Sequence, residues 1–445
     1  MHRIGLDERA WERTRRRTDV IWDPSALVNP HVLICGASGS GKSFQAMRLL
    51  ESAAAAGIEV DAFDLHNELN ECSGASANIY SEATRLGTNP LVLNSNPHTG
   101  GVRRQVEFVV DLLNATSRKL GPRQTSALKA LLYETYLARD IVPERPETWI
   151  RNELTEDEYD HLMAQKAFNA LRGAYPILRD VIRTCERRIR SLTLCADNQA
   201  VMALERVEKA AGKLTALRAK KIAQDELEAA EEKLAIAKDQ AIEAYSAFVL
   251  AIQNGQEWGE QIRYQSADTL RALHERLSEL NSIGIFRAAP PVWASHLRVH
   301  QIGALRDDER RLLVYTHCAA ILRACMDAGQ STRLRRLIFL DEGHALLDDD
   351  GHSPLNKIVK EGRKFGLGLA IGSQSPSHFS ADVLVNTATV IVTGLEAADR
   401  EFAARKLNAP PELLKAVKPK AVVAVKLKRN GESEDGFRLV NVSAQ

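Results

Sequence analysis

Residues 31–43 read HVLICGASGSGKS and are followed by FQAMRLLESAAAA. Val32 to Cys35 form a short apolar run of strand type. Gly36-x-x-x-x-Gly41-Lys42-Ser43 comes next, and the alanine- and leucine-rich stretch behind it is a helix former. Strand, glycine loop and helix in that order are the context the Walker A pattern requires. The glycines let the backbone curl so that its N–H groups converge on phosphate oxygens, and the helix start adds a partial positive charge. Gly36, Ser38, Gly39, Ser40, Gly41, Lys42, Ser43 and Phe44 are therefore the expected nucleotide cradle. Lys42 is expected between the β- and γ-phosphates and the Ser43 hydroxyl on Mg²⁺, so ATP and Mg²⁺ are the expected cofactors.

Such a cradle needs a carboxylate at the end of another strand, and residues 335–348, RRLIFLDEGHALLD, supply one. Leu337 to Leu340 are apolar and run into Asp341 and Glu342. Asp341 is expected to hold Mg²⁺ through water, and Glu342, one residue on, to polarise the attacking water as general base. His344 makes the run resemble a DExH box, but no further helicase motif of that class follows. Residues 358–376 read IVKEGRKFGLGLAIGSQSP: a helix ending near Arg363, an apolar strand, then Gln374 just past the strand end. A glutamine amide placed there can contact a γ-phosphate and report its loss.

Further from the motifs, both ends of the chain alternate apolar runs with helical periodicity, the pattern of an α/β domain with a mostly parallel sheet. The middle differs. No proline lies between Pro176 and Pro290, and residues 206–245 are rich in Ala, Glu, Lys and Leu, which favours long helices in a hairpin or projecting bundle. The expected division is an N-terminal core segment 1–139, a helical insertion 140–295 and a C-terminal core segment 296–445. Lys plus Arg total 59 against 58 for Asp plus Glu, so no global basic excess advertises a nucleic acid, although a ring can confine its positive charge to a channel. Six cysteines form no CxxC pair and read as reduced, buried thiols. No apolar run is long enough for a membrane span, and the first residues are charged, so a cytoplasmic protein without a membrane segment of its own is expected.

The order NPHVLICGASGSGKS, AFDLHNEL (62–69), NPL (89–91), LIFLDEGH, EGRKFGLGLAIGSQSPS and NTATVIVTGLEAADREFAARKL resembles the HerA/FtsK family, which also includes conjugative coupling and type IV secretion ATPases. The resemblance spans roughly residues 20–135 and 296–425. It leaves the helical insertion outside and implies a RecA-like P-loop core, a homo-hexameric ring and nucleotide held between subunits. By the same resemblance Arg363 enters the neighbouring subunit's site, where a guanidinium neutralises charge developing on the γ-phosphate. The implied activity is ATP-driven translocation of double-stranded DNA, alongside a nuclease or other effector in DNA processing or antiviral defence. Conjugation or secretion, and an ATP-regulated scaffold, are the alternatives. With so few residues before Gly36, the N-terminal barrel of HerA proteins is not expected here, nor are the membrane segments of other relatives.

A motor for duplex DNA should present basic side chains to phosphates without reading sequence. The candidates are Arg103 and Arg104, and Arg187, Arg188 and Arg190 in the run CERRIRS. None has the flanking aromatics that favour single strands, and aromatics are only 5% of the chain.

Overall fold

The computed structural model describes residues 1–116, 119–194, 198–219, 224–251, 264, 266–347, 353–431 and 436–443. Its chain divides into two units, Met1–Thr88 with Ala289–Gln445, and Asn89–Ala288.

The first unit is built on an eleven-stranded sheet. In chain order the strands are β1 (His2–Asp7), β2 (Asp19–Trp22), β3 (Val32–Gly36), β4 (Glu59–Asp64), β5 (Ala75–Ile79) and β6 (Leu297–Gln301), then β7 (Ser331–Leu340), β8 (Phe365–Ser373), β9 (Thr389–Gly394), β10 (Val422–Leu427) and β11 (Arg438–Asn441). They lie in the order β2-β1-β11-β10-β9-β3-β8-β7-β4-β6-β5. From β9 to β5 every pairing is parallel; from β9 to β2 every pairing is antiparallel. The inner run β9-β3-β8-β7-β4 inserts β8 between the strand of the glycine loop and the strand of Asp341, which is the RecA-like arrangement. The central parallel strands β3 and β9 are buried on both faces, as in a sheet covered on both sides, whereas the edge strand β5 is partly exposed. Helix Lys42–Ala55 sets Ala46, Leu49, Leu50 and Ala53 on one stripe, and these pack into the core with Ile34, Val60, Ala62, Phe339 and Ala370.

The second unit is helical. Pro122–Leu137 packs on Val102–Thr116, Leu178–Leu194 and Ala267–Ser282. Ala267–Ser282 buries Leu270, Leu273, Leu277 and Leu280, a stripe of three- and four-residue spacing. Helices Asn198–Ala219 and Gln224–Ala251 pack along each other, tied by the Arg218–Glu231 ion pair at 2.6 Å. They form the hairpin foreshadowed by residues 206–245, except that 220–223 lie outside the described residues.

The division of the chain differs from the one expected: the helical unit starts at Asn89 rather than at 140 and ends at Ala288 rather than 295. Helices Val102–Thr116 and Pro122–Leu137 show the periodicity of sheet-covering helices, but their apolar stripes face other helices. Periodicity records that a face is buried, not what buries it. Of the six cysteines, Cys35, Cys72, Cys185, Cys318 and Cys325 are free and buried, and Cys195 lies outside the described residues.

Candidate nucleotide site

Parallel strands deliver their C-terminal ends to one edge of the sheet, so the loops after β3, β4, β7 and β8 share that edge. After β3 the chain turns through Gly39 (φ 73°) and Gly41 (φ 100°), left-handed conformations that suit residues without a Cβ. A Cβ on Gly36 would collide with the hydroxyls of Ser40 and Thr393. Those two hydroxyls share a 2.7 Å hydrogen bond, and Thr393, at the end of β9, also donates to the Cys35 carbonyl at 3.2 Å. Thr393 thus fixes the loop from a neighbouring strand. Lys42 reaches back over the loop and donates to Gly36 O at 2.8 Å and Ala37 O at 3.4 Å. The ammonium is therefore already held at the mouth of the cradle. Phe44 stands in the first helical turn with its ring half exposed under the Arg48 guanidinium, so only its backbone belongs to the cradle.

Lys42, Ser43, Asp64, Glu68, Asp341 and Gly372 line one pocket beside the loop. Both Asp64 oxygens accept backbone N–H groups, His66 at 3.1 Å and Leu69 at 2.8 Å, so this buried carboxylate pins the turn after β4. Asp341 faces the same pocket. Burial pushes its carboxyl up to about 6; His66 opposes this, and Asp64, Glu342 and Glu68 add to it. A buried acid crowded by other acids is the environment a cation relieves. Gly372 leaves the wall open there, since a Cβ would stand 3.7 Å from Asp341 Oδ1. Among the described residues no group of three or more metal-ligating side chains exists. That fits Mg²⁺, which uses one or two protein ligands and keeps several waters. Ser43 and Asp341 are the residues that fit it here.

Glu342 follows Asp341 with φ 45° and ψ 43°, a left-handed conformation that costs a non-glycine residue on the order of 1 kcal/mol. The turn directs its carboxylate toward β8. Gln374 Nε2 donates to Glu342 Oε1 at 3.4 Å, and His344 Nδ1 lies 3.3 Å from Oε2. His344 and His378 both approach the Ser373 hydroxyl, at 3.3 and 3.2 Å, with ring centroids 4.3 Å apart. Burial, helped by the neighbouring His378, lowers the pKa of His344. The structure therefore brings Lys42, Ser43, Asp341, Glu342 and Gln374 to one edge.

Arg363 is not among them. It is exposed on the short turn Gly362–Lys364 that precedes β8, at the opposite edge of the sheet. Nine strand residues separate that turn from Gln374, roughly 30 Å at about 3.3 Å per residue. It cannot reach the nucleotide held by its own chain.

Sequence reading missed Thr393, Ser373, His378 and Lys420. The last has φ 64° and donates its N–H to Ser40 O at 3.2 Å, so the turn before β10 leans on the glycine loop. Topology rather than spacing brings Thr393 and Lys420 to the loop, while Ser373 and His378 meet beside His344.

The basic candidates lie in the helical unit. Arg103 and Arg104 are exposed, Arg104 donating to Thr99 O at 3.0 Å. Arg188 donates to Glu134 from Nε at 3.0 Å and from Nη2 at 2.8 Å, and lies over the Tyr264 ring. Such a guanidinium is committed to holding helices together, unlike the open phosphate contact expected of it. Arg190 pairs with Glu205 at 2.8 Å, and Arg187 bonds Thr184 at 3.1 Å.

Residues 12–312 match the family model of the central domain of the helicase HerA, which is more than half of the chain. The chain belongs to the HerA central-domain family. This HerA-type chain is an ATPase, and ATP with Mg²⁺ is what its loop and carboxylates are built to hold. Among solved structures, VirB4 of Thermoanaerobacter pseudethanolicus superposes with a TM-score of 0.61 at 14% identity, covering 100% of this chain and 96% of that one. The plasmid coupling protein TrwB in complex with the non-hydrolysable GTP analogue GDPNP gives 0.48 at 12% identity, with 100% and 94% covered. The VirB4 likeness shows the fold alone. No curated protein matches. No described helix of this HerA-type chain is long and apolar enough to cross a membrane.

Proposed function

We propose that this chain is an ATP-driven translocase of double-stranded DNA, acting in the cytoplasm as a homo-hexameric ring with a nuclease or other effector in DNA processing or antiviral defence. One observation carries the ring: Arg363 stands at the far edge of the sheet from Lys42 and Glu342, and among the described residues no arginine lines the pocket beside the loop. A neighbouring copy can supply one. Family membership supports DNA as the polymer, since the matching model is named for a helicase.

In this reading the loop N–H groups and Lys42 bind the triphosphate, and Ser43 and Asp341 hold the metal. Mg²⁺, when bound, neutralises phosphate charge. Glu342 takes a proton from the water that attacks the γ-phosphate. Its carboxylate is already aimed by the left-handed turn and held by Gln374. Gln374, touching Glu342 and facing the cradle, links the state of the γ-phosphate to β8.

The test is ATP hydrolysis by the purified chain with and without long duplex DNA, with particle mass measured alongside. Strong stimulation by duplex and six-fold particles are expected. A single-subunit mass and a rate indifferent to duplex at low and moderate salt would overturn the proposal.

A further inference from the structure

The helical unit holds a cleft of about 500 Å³ between helices Glu156–Ala164, Phe168–Arg172 and Leu178–Leu194. Its charged lining is five arginines against Asp180 and Glu186. Asp180 is ion-paired with an arginine, whereas Glu186 meets a histidine rather than a permanent cation. Asp180 pairs with Arg139 at 2.8 Å and also accepts from the Tyr159 hydroxyl and from Ile177 N, while Glu186 holds His274 at 3.1 Å.

The arginines differ in kind. Arg139 is buried by its bond to Asp180, and Arg190 has Glu205. Arg183 is held by the neutral Tyr159 hydroxyl at 2.8 Å and Arg187 by the neutral Thr184, and Arg172 is exposed. Among the described residues none of these three has a carboxylate within ion-pair distance. Elsewhere in the same unit Arg188 and Arg218 each have one. Three guanidiniums without a close ion pair in one concavity, Arg187 also feeling the Glu134 carboxylate, leave a positive excess that a polyanion would relieve. The walls are not polar throughout, since Phe168, which also lines the cleft, is 57% exposed. The volume exceeds what a lone phosphate needs.

We propose that this cleft binds the phosphodiester backbone of duplex DNA, with Arg172, Arg183 and Arg187 facing phosphates. The inference rests on the reading of the chain as a DNA motor and locates one of its contacts. Arg188 and Arg190, next to Arg187 in sequence, are excluded from that role by their glutamate partners.

Anisotropy of a short fluorescein-labelled DNA duplex, titrated with the full chain over a range of salt, tests it. Arg172→Glu with Arg187→Glu is the cleft variant, chosen because Arg183 also supports Tyr159. Lys209→Glu with Lys213→Glu, on the exposed side of Asn198–Ala219, makes the same change in net charge elsewhere in the unit. The cleft variant is expected to bind roughly tenfold or more weaker with a salt slope shallower by about 1 to 2, and the control to stay within about twofold of the parent. Arg172→Lys with Arg187→Lys recovers most of the affinity, and a thermal melt of the cleft variant matching the parent shows an intact fold. Equal losses in cleft variant and control, an unchanged salt slope, or no binding by the parent would each overturn the cleft assignment. Loss of tripolyphosphate binding alone, with duplex binding intact, would also overturn it. Cleft-dependent binding without any duplex stimulation of ATP hydrolysis sinks the translocase reading and leaves the cleft standing.

Discussion

Glu342 combines two properties that rarely coincide in a structural residue: a left-handed backbone and a nearly buried carboxylate. A glycine would adopt that conformation without strain, so the side chain has to justify it. Glu342→Gln keeps shape and burial but removes the base. It is expected to lower kcat by on the order of 10²- to 10⁴-fold while ATP affinity is retained, checked by turnover and by titration with a fluorescent ATP analogue. Gly36→Ala tests the cradle. Its methyl group meets the Ser40 and Thr393 hydroxyls, so a stability loss of about 1–3 kcal/mol and weaker ATP binding are expected, read from thermal unfolding and the same titration. Lys42, Ser43, Asp341 and Glu342 were legible in the sequence because each lies within a few residues of a diagnostic strand end. Thr393 was not, since it reaches Ser40 across 353 positions of chain.

Strands and helices carry a pH signature of their own. Burial holds His31 at about 4 and His317 at about 3, well below the ordinary imidazole. As pH falls below about 6.5 the unfolded chain takes up protons that the folded chain refuses, so stability rises with pH through this window. It is full above about pH 6.5 and lost as pH falls toward the folded values, by up to about 2 kcal/mol per histidine at pH 5. Urea midpoints at pH 7 and pH 5 check the direction. His31 Nδ1 accepts Leu369 N at 3.0 Å, joining β8 to the residue before β3, and His31→Gln keeps an acceptor there while flattening the pH dependence. The parallel core could be foreseen from its apolar runs. The antiparallel extension of β1, β2, β10 and β11 could not, because an edge strand such as Asp19–Trp22 alternates buried and exposed residues over only four positions. The boundary at Asn89 was equally hidden, its helices being as periodic as those on the sheet.

For the whole molecule, the position of Arg363 makes the proposed ring testable by mixing. Arg363→Ala alone is expected to lose ATP turnover, as is Glu342→Gln alone. Combined in one preparation they should regain a measurable fraction, because a Glu342→Gln subunit still lends its arginine to an intact neighbour. Normal hydrolysis by Arg363→Ala would remove the trans assignment. The proposed assembly is implied in the sequence only through motif order; nothing in local composition suggests that a guanidinium before one strand and a glutamine after it would serve different sites. β8 carries Gln374 at one end and leads out of the Arg363 turn at the other, and between them every residue from Gly366 to Ser373 is buried. A strand clamped on both sides by β3 and β7 cannot stretch or slide without tearing its ladder. In such a ring each protomer would carry a stiff rod whose one tip senses its own fuel and whose other tip touches the next chamber. Firing order would then travel round the circle in a single rotational sense, set by the direction of one polypeptide strand.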